Sequence, residues 1–198
     1  MLKLAVIGKD VSKSDSAKMH TFILRALGAD CSYELISCPA ERFDGEAERL
    51  LADYDAFNVT IPYKLAVIPH LKGIEGDAKV FGAVNTVVDG VGYNTDGIGF
   101  SLMLENNGVD VSGKKILVLG AGGAGRSVVK KLLDAGAEVQ LFDLKRENAA
   151  AVCGEFTGAR LAEKVEAEPR YMIVNVTGVG MHKTEGVSPV GEEILKTC

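Results

Sequence analysis

Apolar runs of strand length alternate along this chain with longer stretches whose apolar residues recur at helical spacing. "KLAVIG" (Lys3–Gly8) predicts a short buried strand. "SAKMHTFILRALG" places Met19, Phe22, Ile23, Ala26 and Leu27 on one helical face, with Gly28 as the stop. "CSYELISC" predicts a second strand, Glu46 to Asp53 a helix, and "AFNVT" a third strand. In "NTVVDGVGYN" the pair Asp89-Gly90 separates two short strand runs, a strong hairpin signal. From Gly97 a helix carries Phe100, Leu102 and Met103 toward Asn107-Gly108. The pattern then restarts: "ILVLGAGGAG" reads as strand and turn, "RSVVKKLLDAG" as helix, "EVQLFD" as strand, and "YMIVNVTG" as a later buried strand. This alternation predicts two α/β lobes with mainly parallel pairing. The division is expected between Asn107 and Lys114, giving lobes 1–108 and 109–198.

Composition narrows the function. With 47% apolar residues the chain can bury a core, and its net charge of -5 argues against nucleic acid as a main partner. Cys31, Cys38, Cys153 and Cys198 form no C-x-x-C pair and read as reduced thiols. His20, His70 and His182 lack metal-ligand spacing, so no metal is expected. The start is too charged for a signal peptide, and no apolar run approaches the roughly 20 residues of a membrane span. A soluble cytoplasmic protein is expected, with a small-molecule substrate and neither membrane nor nucleic acid as partner.

Gly120, Gly122 and Gly125, with Ala121, Gly123 and Ala124 between them, satisfy G-x-G-x-x-G. A lone match is weak. Here it follows the strand "KKILVL", opens a helix, and precedes a second strand that ends in Asp143, as in a dinucleotide site. Glycines let backbone N–H groups approach a pyrophosphate, and the helix N-terminus favours its negative charge. Asp143 is spaced to bind the adenosine ribose, so NAD or NADP is the expected cofactor.

The first lobe gathers polar residues where strands end: Ser14 and Ser16, Asn58 and Thr60, Lys64, Asn85 and Asp96. Ligands of open α/β sheets bind beyond the carboxyl ends of strands. In "FNVTIPYK" a proline and then Lys64 follow the strand tip at once. The segments Gly8 to His20, "NVTIPYK", "GAVNT" (Gly82–Thr86), "NTDG" (Asn94–Gly97), "GAGGAGR" and "NVTGVGM" (Asn175–Met181) resemble, in that order, motifs of the shikimate dehydrogenase family, including its quinate/shikimate relatives. Lys13 and Ala17 stand where a histidine and a proline are usual in that family.

The resemblance implies NAD(P)-linked interconversion of 3-dehydroshikimate and shikimate in aromatic amino-acid biosynthesis, with a substrate-binding catalytic lobe ahead of a Rossmann-like one. Lys64 and Asp96 would be the catalytic pair, the lysine supplying a proton and stabilising an alkoxide. Ser14 and Ser16, two apart on extended backbone, would hold a carboxylate; Ser16 also suits a helix N-cap. Thr60, Asn85 and Asp96 would bind ring hydroxyls, with turn geometry the other reading of Asn85. Where NADP-dependent relatives carry N-R-T, this chain reads Asp143-Leu144-Lys145, which favours NAD, although Lys145 and Arg146 could reach a phosphate. The family continues beyond the position of Cys198, and only about four strands are legible in the second lobe, against the six of a doubly wound sheet. The expectation is therefore an incomplete nucleotide lobe. A quinate/shikimate dehydrogenase and a non-catalytic dinucleotide-binding remnant are the alternatives.

Overall fold

The computed structural model describes every residue except His182 and Lys183. By contacts the chain divides into two units, Met1–Thr95 and Asp96–Cys198. The first runs β1 (Leu2–Gly8), α1 (Ser16–Ala26), β2 (Cys31–Ser37), α2 (Phe43–Asp53), β3 (Ala56–Val59), β4 (Gly73–Ile74), α3 (Asp77–Phe81), β5 (Thr86–Val88) and β6 (Val91–Tyr93). The second runs α4 (Asp96–Asn106), β7 (Lys115–Leu119), α5 (Gly123–Asp134), β8 (Glu138–Phe142), α6 (Arg146–Glu155), β9 (Arg160–Leu161), β10 (Met172–Asn175) and α7 (Glu192–Leu195). The sequence placed the division after residue 108. It falls before α4 because that helix packs on α5.

The first sheet has the order β2-β1-β3-β5-β6-β4. β1 pairs parallel with β2 on one side and β3 on the other, and β4 pairs parallel with β6 at the far edge. The pairing is mainly parallel, as expected; the exception is the β5–β6 hairpin, antiparallel within itself and on β3. Asp89 and Gly90 both have positive φ, 52° and 79°, as a two-residue hairpin turn of primed type requires. The core lies on one side of this sheet. Ala5, Ile7, Phe57, Val59 and Val87 pack against Phe43, Ala47 and Leu50 of α2 and against Tyr63 and Val67.

The second sheet is wholly parallel, in the order β10-β7-β8-β9. Its centre, β7, is buried from Ile116 through Leu119, as befits a strand covered on both faces. Val128, Val129 and Leu132 of α5 and Ala149 and Val152 of α6 complete the core. No helix among the described residues is long and apolar enough to cross a membrane.

The apolar face of α1 departs from expectation. No residue of α1 is buried, and Met19, Phe22, Ile23 and Leu27 are exposed. A period of 3.6 residues shows which side chains share a face, not what covers that face. The contrast with α2 generates a prediction. Leu50→Ala, at a fully buried position, should cost about 2–5 kcal/mol in urea unfolding. Phe22→Ser, at a position 75% exposed, should cost under about 0.5 kcal/mol. Equal costs would overturn this account of which helix carries the core.

Candidate functional site

In the first sheet the chain leaves β1 toward β2 on one side and later enters β3 on the other. That reversal is a topological switch point, and it opens a crevice beyond the carboxyl ends of β1 and β3. Ser14 and Ser16 follow β1, and Thr60 and Lys64 follow β3. Asn85 precedes β5, which is antiparallel to β3, and Asn94 and Thr95 follow β6, which is antiparallel to β5. All therefore lie at one end of the sheet. Asp96 is the next residue of the chain and the first of α4. Ser14, Ser16, Thr60, Lys64, Asn85 and Asp96 are each half-buried.

Local packing explains these placements. Gly8 lets the loop after β1 close, because a Cβ there would stand 2.5 Å from Thr60 Cγ2 and 2.8 Å from Val11 Cγ1. The Ser37 hydroxyl accepts the Val11 N–H at 3.0 Å. Tyr63 anchors the segment that carries Lys64. Its ring stacks on Phe43 at 4.1 Å, its hydroxyl donates to the Cys38 carbonyl at 2.6 Å, and burial raises its pKa. The Lys64 carbonyl accepts the Val84 N–H at 2.7 Å, which sets its backbone one residue from Asn85.

The serines are adjacent for a different reason than extended backbone. A turn brings Ser14 Oγ within 2.9 Å of Ser16 Oγ, and the Ser16 N–H donates to Ser14 Oγ at 3.2 Å. Ser16 is not the N-cap of α1. It is the first helical residue, and the N-cap, Asp15, makes no side-chain capping bond.

A directed chain of hydrogen bonds leads inward from this pair. Asn58 Nδ2 donates to the Asn85 carbonyl at 3.3 Å, and Asn85 Oδ1 accepts the Thr95 N–H at 3.0 Å. Backbone groups have one role each, so both amide orientations are determined. Tyr33 must then donate to Asn58 Oδ1, at 2.6 Å, and accept from the Ser16 hydroxyl. Thr86 accepts from Asn58 Nδ2 at 3.2 Å and donates to Asn85 Oδ1 at 3.0 Å. The imidazole of His20 stacks on the Tyr33 ring at 5.0 Å, and burial lowers its pKa. In the sequence Asn58 stands among the polar residues gathered at strand ends, without a role of its own. Thr86 shows only as the last residue of "GAVNT", and Tyr33 gives no signal beyond sitting in a strand-forming run.

The second sheet repeats the pattern. From β7 the chain moves to β8 and β9 on one side and returns to β10 on the other, so its switch point lies between β7 and β10. The glycine loop follows β7 and the loop of Asn175–Met181 follows β10. Gly120 has φ +105°, and a Cβ on Gly125 would lie 2.1 Å from the Gly120 carbonyl oxygen. A Cβ on Gly122 would meet nothing within 4 Å. The first and third glycines thus serve the turn, while the second leaves open space at the N-terminus of α5, where an anion is favoured. Asn175 shapes the other loop. Its Oδ1 accepts the Thr177 N–H at 3.0 Å and its Nδ2 donates to the Val179 carbonyl at 3.0 Å.

Asp143 does more than the sequence suggested. Its Oδ2 accepts the Ala121 N–H at 2.7 Å and its Oδ1 the Lys145 N–H at 2.8 Å, so the carboxylate braces the glycine loop. Leu144 beside it is 90% exposed. Arg146 makes two bonds to Glu163, at 2.7 and 2.6 Å. Among the described residues no cluster of His, Cys, Asp and Glu could hold a metal. His70 pairs with Asp44 at 3.1 Å, whereas His182 lies outside the described residues.

An α/β unit with polar residues at its switch point, followed by one bearing a dinucleotide fingerprint, is the plan of the NAD(P)-linked dehydrogenases. Comparison with known proteins narrows that class. A family model of the shikimate dehydrogenase substrate binding domain matches residues 6–87. A shikimate dehydrogenase (NADP(+)) of Thermus thermophilus is 39% identical over 199 residues, covering 98% of this chain and 74% of the relative. One from Carboxydothermus hydrogenoformans is 37% identical, covering 93% and 70%. The crystal structure of a Thermus thermophilus shikimate 5-dehydrogenase in complex with NADP(H) and shikimate matches with TM-score 0.88 at 38% identity, covering 98% of this chain and 75% of that one. Shikimate dehydrogenase 1 from Peptoclostridium difficile matches at 0.92 and 28% identity, covering 100% and 75%. The chain belongs to the shikimate dehydrogenase family and spans about three quarters of the length of these relatives.

The site generates two predictions. Gly125→Ala should destabilise the protein by about 2–3 kcal/mol, since its methyl group meets backbone; Gly122→Ala should stay within about 0.5 kcal/mol. Urea titration compares them, and equal losses would sink the division of roles.

The second concerns Tyr33, whose pKa burial pushes up from 10.0 to about 12 against the opposing hydrogen bond from Ser16. Between those values the unfolded chain loses the phenolic proton while the folded chain keeps it. The stability Tyr33 contributes is therefore complete below pH 10 and declines as pH rises toward 12. The stability advantage of the wild type over Tyr33→Phe should shrink across that window. An advantage that stays constant would show that the phenol is not desolvated.

Proposed function

We propose that the protein catalyses the reversible NAD(P)-linked reduction of 3-dehydroshikimate to shikimate, a step toward aromatic amino acids, with the first unit binding the substrate and the second the nucleotide. The observation that carries this reading is the collection of Ser14, Ser16, Thr60, Lys64 and Asn85 at one switch point, within a unit resembling a substrate binding domain. Thermus thermophilus supplies a relative solved with shikimate and NADP(H) bound, at 38% identity.

Ser14 and Ser16 would bind the substrate carboxylate. Ser14 donates to Ser16 and Ser16 to Tyr33, so the two hydroxyls would have to rotate to donate to it. Thr60 and Asn85 would hold ring hydroxyls. Lys64 would give its proton to the carbonyl oxygen during reduction and recover one afterwards, and Asp96 would hold the proton in transit. A bound nicotinamide supplies the hydride. The open space at Gly122 and the N-terminus of α5 suit the pyrophosphate of either nucleotide, with contacts from Gly120, Ala121, Gly123, Ala124 and Gly125.

Between the two nucleotides we favour NAD. The relatives are named for NADP(+). This chain, however, presents an uncharged, exposed Leu144 beside Asp143, and its nearest arginine is engaged with Glu163. A quinate/shikimate dehydrogenase shares every feature used above and differs only in substrate.

The test is turnover of shikimate and of quinate with each nucleotide. Lys64→Ala and Asp96→Asn should each lower turnover by roughly 100-fold or more while leaving nucleotide affinity within about twofold. Near-normal turnover in Lys64→Ala would remove that residue from the chemistry. Absence of any shikimate-dependent hydride transfer in the wild type would leave the non-catalytic, dinucleotide-binding reading standing.

A further inference from the structure

The rim beyond β8 is assembled from two segments. β9 pairs with β8 through Gln140–Arg160 and Leu141–Leu161, so the residues after Leu161 lie beside those after Phe142. One segment brings Asp143, Lys145, Arg146 and Glu147, the other Glu163, Lys164 and Glu166. Acids outnumber bases by one. Lys164 is paired with Glu166 at 2.6 Å, and both oxygens of Asp143 accept backbone N–H groups. Arg146 and Glu163 form a planar two-bond pair, although both are well exposed, 64% and 60%.

In a nucleotide-binding sheet of this kind, the group past the second strand reads the ribose, and a nearby arginine accommodates a 2′-phosphate. Arg146 is the arginine at that position, at the start of α6 and three residues beyond Asp143. Its guanidinium fork matches a phosphate as well as a carboxylate. Resting on the nucleotide-binding reading above, we propose that Glu163 is a specificity-determining residue, which holds Arg146 away from a 2′-phosphate and so discriminates against NADP.

Two effects act in the same direction. NADP must break the Arg146–Glu163 pair to gain its arginine, and the released carboxylate then stands beside the phosphate. NAD, with a 2′-hydroxyl, asks neither of them to move. The pair's exposure limits the size of the effect, because solvent screens such contacts. A change of specificity by a few fold is expected, with no loss of folding.

The experiment measures dissociation constants for NAD and NADP without substrate, in the wild type, Glu163→Gln, Arg146→Ala and the double variant. Glu163→Gln should tighten NADP by about three- to fivefold and leave NAD unchanged. Adding Arg146→Ala should abolish that gain. Two results would overturn the proposal: an unchanged NADP/NAD ratio in Glu163→Gln, or a gain that persists in the double variant. Failure to bind either nucleotide would overturn it together with the nucleotide site. Failure to oxidise shikimate alone would count against the proposed reaction and leave these binding results to decide the role of Glu163.

Discussion

Parallel pairing around one central strand organises each unit. β1 has β2 on one side and β3 on the other, both parallel to it, and β7 stands likewise between β8 and β10. Parallel strands need crossovers, and here the chain departs to one side of the central strand and comes back on the other. Where it reverses, no connection crosses the carboxyl ends, and the loops leave an opening. Every residue assigned to substrate in the first unit follows from this constraint, except that Asn85 reaches the same end through an antiparallel strand. The hairpin therefore has a purpose in the site: it turns an entering strand toward the crevice.

Within the first opening, order comes from hydrogen bonds whose direction the backbone dictates. The Asn85 carbonyl can only accept and the Thr95 N–H can only donate, which orients the amides of Asn58 and Asn85. The effect passes through Tyr33 to the serines, so the pair directs its protons inward. Tyr33 donates to Asn58 from a desolvated position, where burial pushes its pKa up to about 12.

Much of this was legible in the sequence, for reasons that separate by length scale. The strands at Lys3–Gly8 and Lys115–Leu119 announced themselves as unbroken apolar runs, and Asp89-Gly90 announced the hairpin by its turn chemistry. The two-residue strands β4 and β9 have too few residues to show a period; their neighbours create them. The exposed face of α1 was illegible because periodicity carries no information about what lies opposite. Tyr33 reads as an ordinary strand residue, and only the registers of β2 and of β3 on β1 bring its phenol to Asn58. The glycine fingerprint was legible as a motif, but the different task of each glycine depends on distances a sequence does not contain.

Asp143 shows why a motif residue can be placed correctly while its task is only partly seen. Spacing puts an acid at the end of β8, and a ribose would be a suitable partner for it. The loop it faces has N–H groups at Ala121 and Lys145 that need acceptors in the absence of any ligand, and a carboxylate has lone pairs enough for both. Exchanging this acid for a neutral residue would therefore disturb the glycine loop itself. A change in nucleotide preference achieved there would confound shape with recognition. The exposed pair of Arg146 and Glu163 has no such second task. Discrimination is most easily altered at groups whose removal leaves the loop's own hydrogen bonds intact, and on this rim those groups stand one step outside the fingerprint.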